Sequence, residues 1–195
     1  LSMFTYDLLK DSTFFREHTL PAHSDHVGYP CEKDMREGRN PYRHSLNGIW
    51  KFSYGRNLND VVADFYAMDV NCHDWSDIRV PAHIQMEGYD APAYVNTQYP
   101  WDGREELKEP EVPTAFNPVG CYVKYLFVPK HMRNQHLYIS FQGVESAFAL
   151  WLNGRYVGYS EDSFTPSEFE LTPYLNMDGE NKLAVQVFKW ASGSW

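Results

Sequence analysis

Four glutamates crowd the segment WDGREELKEPEV, at positions 105, 106, 109 and 111. Glycoside hydrolysis asks for two carboxyl groups flanking a bond, one as acid and one as nucleophile or base, so this is the first place to look for catalysis. The basic neighbours Arg104 and Lys108, the prolines and the lack of an apolar residue set to raise a carboxyl pKa favour a solvated loop over a catalytic pair. SFTPSEF brings Ser163, Ser167 and Glu168 together, but without a G-x-S-x-G elbow or an assignable histidine base it does not make a nucleophile. The histidines raise the question of a metal: His83 near Gln85, His131 near His136, and His18, His23 and His26 close to the start. None shows H-E-x-x-H spacing or a matched cysteine pair, so surface or hydrogen-bonded histidines are expected. Cys121 heads a strand and reads as packing, and no glycine-rich phosphate loop occurs.

One stretch is left, GYDAPAYVNTQYPW, residues Gly88 to Trp101, with three tyrosines, two prolines, a tryptophan, an aspartate and an asparagine. Sugar sites combine an aromatic face with amide and carboxylate groups that bind hydroxyls in pairs. This segment has both parts, and Trp190 and Trp195 near the end add to them. The same rings and prolines could equally pack the edge of a core, and composition alone leaves both readings open.

The rest of the chain must position that segment. At 195 residues with 16% aromatic content, one well-buried core is the default, and mean hydropathy of −0.54 with no apolar run near twenty residues excludes a helical membrane span. A formal charge of −9 argues against non-specific nucleic-acid binding, which needs clustered Lys and Arg. Three scattered cysteines signal neither a disulfide framework nor a zinc ribbon, and with no signal-peptide pattern at the start a cytoplasmic protein is expected. The last residues, KLAVQVFKWASGSW, run a strand to the end of the chain and read as a segment of something longer.

Residues 1–44 hold charge, histidine and turn formers with no sustained period, which predicts an extended arm lying over a surface. From Ser45 the pattern changes. LNGIWKFSYG puts Trp50, Phe52 and Tyr54 on one face, and DIRVP places Ile78 and Val80 before a proline. CYVKYLFVP aligns Val123, Tyr125 and Phe127, and HLYISFQG aligns Leu137, Ile139 and Phe141, both as half-buried strands. AFALWLNGRYVGYS is apolar on both faces up to Leu152 and turns through Asn153-Gly154, a type I′ hairpin signal. After a turn near Asp178-Gly179, Leu183, Val185 and Val187 share a face. NDVVADFYAMD, from Asn59 to Asp69, is the one segment expected to be helical. Many short strands with frequent turns predict an all-β sandwich or jelly roll.

RHSLNGIWKF, VPAHIQMEGYDAPAYVNTQYP, NPVGCYVKYLF, FQGVESAFALWLNGRYVGYS, TPSEFELTPYL and NKLAVQVFKWASGS, together with FREHTLPAH in the arm, resemble the amino-terminal domain of the LacZ-like β-galactosidases of glycoside hydrolase family 2. The resemblance implies a jelly-roll β-sandwich of the galactose-binding type over residues 45–195, an extended arm over 1–44, and at most one or two short helices. It places the catalytic glutamates on a downstream barrel, so no catalytic residue is expected here. In the family pattern Y-x-N-x-x-Y-P, an asparagine approaches the galactose hydroxyls; that position is Asn96, with Thr97 beside it. Trp195 stands where the family's W-S-x-G-S-Y motif has tyrosine, and WDGREELKEPEV is longer and more acidic than the family's pattern. The resemblance also implies a β-galactoside such as lactose as substrate, a homo-oligomer, and Mg²⁺ and Na⁺ in the parent enzyme with no cofactor assigned within this segment. A freestanding carbohydrate-binding module, or a mainly structural domain of a related family 2 glycosidase, are the alternatives.

Overall fold

The computed structural model describes residues 3–24 and 26–195. Nine strands are described: β1 Arg16–Glu17, β2 Gly48–Gly55, β3 Ser76–Val80, β4 Val119–Phe127, β5 Tyr138–Phe141, β6 Ala147–Leu152, β7 Arg155–Ser160, β8 Ser167–Glu170 and β9 Glu180–Phe188. Seven form one antiparallel sheet in the order β1-β7-β6-β9-β4-β2-β3, and β5 pairs with β8 in a second sheet. A single α-helix is described, α1 Glu32–Glu37. The expected all-β sandwich is therefore present.

Alternation of side chains across the large sheet sorts its apolar residues into two cores. On one face Trp50, Phe52, Phe148, Leu150, Leu152, Val157, Leu183 and Val185 meet Ile139 and Phe169 from the small sheet and Leu171 just after it. On the other, Val119, Cys121, Val123, Ala147, Ala149, Trp151, Tyr159, Ala184 and Phe188 are covered by connecting segments, with Leu9, Phe65, Cys72 and Val112 buried among them. The start of the arm belongs to this second core: Phe4 packs on Trp151, Tyr159 and Phe188, and β1 adds a strand beside β7. Gly158 in β7 permits that closeness, because a Cβ there would stand 2.5 Å from the Glu17 carbonyl oxygen and 2.6 Å from the Phe169 ring.

Three expectations need correction. Residues Asn59 to Asp69 do not form an α-helix: a 3₁₀ turn, Leu58–Asp60, gives way to irregular turns. Asp64 takes a left-handed φ of 51°, Phe65 is buried, and Tyr66 stacks on Trp151 at 4.5 Å with rings 3° from parallel. Lys182 holds this segment by donating to the Ala67 and Val70 carbonyl oxygens, each at 2.6 Å. Tertiary packing thus overrides the local helical pattern. Strand β4 is buried on both faces rather than one, since it sits inside the large sheet: Cys121 and Val123 enter one core and Tyr122 and Leu126 pack on the other, while Phe127 at its end is 59% exposed. The helix α1 arises in the arm, where no apolar period announces it because it buries no residue; Gly38 ends it at φ 66°.

The Asn153-Gly154 hairpin is as expected, with φ of 53° and 77° at the two turn residues. Asn153 also ties the turn to β9 and beyond. Its Oδ1 accepts the Lys182 N–H at 2.9 Å, and its Nδ2 donates to the Tyr174 carbonyl at 2.9 Å and to Asn181 Oδ1 at 2.8 Å.

Candidate functional site

Register gathers one set of strand ends together: Gly55 is opposite Val119, Val119 opposite Phe188, Phe188 opposite Ala147, and Phe148 opposite Ser160. The segment from Val80 to Val119 must travel to this end from the opposite one, since Val80 pairs with Gly48 at the far end of β2. It crosses the sheet face with Tyr89 as its foot, packed at 4.7 Å on Phe52 and 6.0 Å from Tyr54.

Residue Asp90 then meets Lys189, the residue after β9. The Asp90 side chain is only 5% exposed and accepts from Lys189 Nζ and, at 3.2 Å, from Gln85 Nε2. Burial works against its charge, but Lys189, the Ala91 N–H and Gln85 outweigh it and hold the carboxyl below the usual aspartate range. The carboxylate that composition offers to a sugar is therefore already committed within the fold. Lys189 is fixed in turn: its N–H donates to Pro118 O at 3.0 Å, its carbonyl accepts from Ser146 Oγ at 2.7 Å, and its ammonium lies 5.3 Å from the Trp190 ring centroid.

At the loop's other side, Tyr99 stacks on Trp101 at 5.5 Å and packs at 4.7 Å on Trp195, while its N–H donates to Asp102 Oδ2 at 2.9 Å. Trp101 is 2% exposed and also touches Trp195 at 4.8 Å and Trp190 at 6.3 Å. Trp190 and Trp195 are thus joined through Trp101. Asn117 secures the base, since its side chain bonds both the N–H and the C=O of Trp190 and the Tyr6 hydroxyl.

Between these anchors, residues 91–98 are exposed, with Tyr94 at 86%. Asn96 and Thr97 lie here, and neither side chain has a hydrogen-bond partner among the described residues. An amide in this state offers two donors and an acceptor, which matches a pair of adjacent hydroxyls. Of the three tyrosines, Tyr89 and Tyr99 are scaffold and Tyr94 is free. The Asp90–Lys189 pair escaped the sequence reading because its members are far apart in the chain and no local pattern links them.

The other chemical candidates are accounted for structurally. Glu105 accepts the N–H groups of Thr114, Ala115 and Phe116 at 3.0, 3.0 and 3.2 Å, pinning the acidic loop back on itself. Glu111 closes a turn by accepting the Lys108 N–H at 3.0 Å, and its carbonyl takes the Trp195 indole N–H at 2.8 Å. Glu106 and Glu109 are exposed, whereas Val112 at the end of the segment is core. Ser167 pairs with Ser160 at 2.8 Å, and Glu168 with His23 at 2.7 Å. His18 bonds the Val157 carbonyl, His26 the Ser24 carbonyl, and His136 the Glu170 carboxylate; His83 and His131 are exposed. Burial pushes the Cys121 thiol up to about 12, as suits a packing residue. Among the described residues no group of three or more His, Cys, Asp or Glu is arranged to hold a metal ion. No helix among them is long and apolar enough to cross a membrane.

Comparison with known proteins gives the family of the chain. The chain is 55% identical over 188 residues to a β-galactosidase of Halalkalibacterium halodurans, covering 96% of this chain and 18% of that protein. It is 47% identical over 191 residues to a β-galactosidase of Clostridium acetobutylicum, covering 97% and 21%, and 46% identical over 187 residues to one of Streptococcus thermophilus, covering 96% and 18%. The chain therefore spans about a fifth of the length of these relatives. Among solved structures, a glycosyl hydrolase family 2 member from Bacteroides cellulosilyticus shares the fold at a TM-score of 0.55 and 22% identity, over 76% of this chain and 18% of that one. A β-glucuronidase of Bacteroides uniformis does so at 0.54 and 20%, over 75% and 14%. The profile of the family described as "Glycosyl hydrolases family 2, sugar binding domain" matches residues 43–195, and to that family the chain belongs.

Proposed function

We propose that this chain is the sugar-binding domain of a retaining β-galactosidase that releases terminal β-D-galactose from substrates such as lactose. In this reading residues 1–44 are an arm and residues 45–195 a jelly-roll, carbohydrate-binding sandwich, joined to downstream domains in a cytoplasmic homo-oligomer. The chain supplies position, not proton transfer: Asn96, with Thr97 beside it, orients galactose hydroxyls, while the acid and nucleophile come from a barrel further along the polypeptide. The observation that carries the reading is the bare 91–98 loop held between the Asp90–Lys189 pair and the Tyr99–Trp101 stack, with an Asn96 side chain in it that has no hydrogen-bond partner among the described residues. The name β-galactosidase on relatives about half identical to this chain over the stretch they share supports the choice of galactoside over glucuronide.

The reading is tested by offering the full-length protein chromogenic β-galactoside and β-glucuronide, and the isolated 195-residue chain the same galactoside together with calorimetry against galactose. Galactoside turnover by the full-length protein, with neither turnover nor measurable binding by the isolated chain, is the expected result. Turnover of the glucuronide in preference, or tight galactose binding by the chain alone, overturns it.

A further inference from the structure

From residue 92 to residue 98 no hydrogen bond is found among the described residues, and the Ala91 N–H serves only the Asp90 carboxylate, so where Asn96 stands depends on how the two ends of the loop are held. The Tyr99 end is a ring stack with a backbone bond to Asp102. The Asp90 end is different in kind. Here a side chain 5% exposed is bound to an ammonium on the residue that leaves the central strand β9, and Asp90 itself adopts a left-handed φ of 55°. A non-glycine residue in that region costs about 1 kcal/mol, and burying a carboxylate costs more unless it is paired. Both costs are met at one residue, on the stem of the segment that carries Asn96. Lys182 also anchors a connecting segment, but through backbone carbonyl oxygens, whereas at Asp90 the anchor is a carboxylate paired with an ammonium. An ion pair whose carboxylate is largely out of water and whose ammonium is 21% exposed is a poor device for stability but a good one for register, because its geometry tolerates little displacement.

We infer that Asp90 and Lys189 are a positioning pair: they fix the loop stem to β9 and thereby set where the Asn96 amide meets the sugar. The inference rests on the proposed role of Asn96. The surroundings fit the task, since Gln85 takes a second position on the carboxylate, Trp190 lies under the ammonium, and Lys189 is tied to Pro118 and Ser146 through its own backbone. The pair acts only through the loop; neither member touches the substrate.

The test is a double-mutant cycle in the full-length enzyme, reading kcat and KM for a chromogenic β-galactoside and the melting temperature of each variant. Asp90→Asn keeps the shape and an acceptor for Gln85 but removes the charge. It is expected to lower kcat/KM roughly ten-fold, since displacements near 1 Å can cost up to a hundred-fold. In an Asn96→Ala background the same substitution is expected to change kcat/KM less than about two-fold, as sites acting through one interaction are not additive. Lys189→Met is run in the same cycle should Asp90→Asn fail to fold, and Lys189→Arg is expected to recover most of what Lys189→Met loses. If Asn96→Ala lowers activity but Asp90→Asn has the same fold effect in both backgrounds, or none in either, the positioning pair is overturned and the role of Asn96 stands. If Asn96→Ala has no effect, the role of Asn96 and the positioning pair fall together.

Discussion

At the scale of single residues, the acidic side chains of this domain divide by what they hold. Glu161 is half-buried below Ser192–Ser194, where it accepts the Tyr159 hydroxyl at 2.6 Å and a hydrogen bond from the Gly193 backbone. Burial raises its pKa against those two bonds, so the folded state holds the proton more tightly than the unfolded chain. Its contribution is therefore most favourable at low pH and declines as pH rises from the ordinary glutamate pKa through the raised one. Glu161→Gln keeps an acceptor for Tyr159 and removes the ionisation, so the variant should gain in melting temperature relative to the parent sequence over a pH range running upward from the ordinary glutamate pKa. Two parallel curves across that range would contradict the assignment. Glu105 has another role, because three backbone N–H groups depend on it. Glu105→Ala should cost about 1–2 kcal/mol of stability by chemical denaturation, and in the full-length enzyme it should leave residual turnover of the folded fraction. A catalytic carboxylate would instead abolish turnover without unfolding.

At the scale of elements, sequence reading succeeded where the period and the environment agree. The alternation in Trp50, Phe52 and Tyr54 and in Leu183, Val185 and Val187 matches the faces that pack, and Asn153-Gly154 turns as its composition demands. It failed where tertiary contacts decide. NDVVADFYAMD carries a helical pattern, but its Phe65 is drawn into a core built by four distant strands and its backbone is held by Lys182. The short α1 was unreadable for the opposite reason, since it buries nothing. Gly158 marks another case: in sequence it is one glycine among twelve, and only the fold shows β1 and Phe169 pressed against it. Gly158→Ala should destabilise by about 1–3 kcal/mol, as overpacking against backbone leaves nothing to give way. A denaturation midpoint equal to the parent's would show that β1 can detach freely.

At the scale of the whole molecule, the candidate site was legible only in part. Asn96 and Thr97 were indicated by their pattern, and the structure leaves both exposed and unpartnered on a loop of fixed ends. What fixes those ends, the Asp90–Lys189 pair and the Tyr99, Trp101, Trp190 and Trp195 cluster, joins positions up to 99 residues apart and becomes visible only once the sheet brings them to one edge. A buried Trp101 and the largely buried Asp90 carboxylate thus flank an exposed segment, residues 91–98, that packs nothing into the core. That arrangement suits a domain that presents one group to a site completed by other parts of a longer chain. Asn96→Ala in the full-length enzyme is the most direct test of this account. Losing a hydrogen bond to a sugar hydroxyl should lower kcat/KM for a β-galactoside by roughly ten- to hundred-fold, with the melting temperature unchanged because the side chain supports nothing in the fold. Unaltered kinetics in a properly folded variant would contradict it.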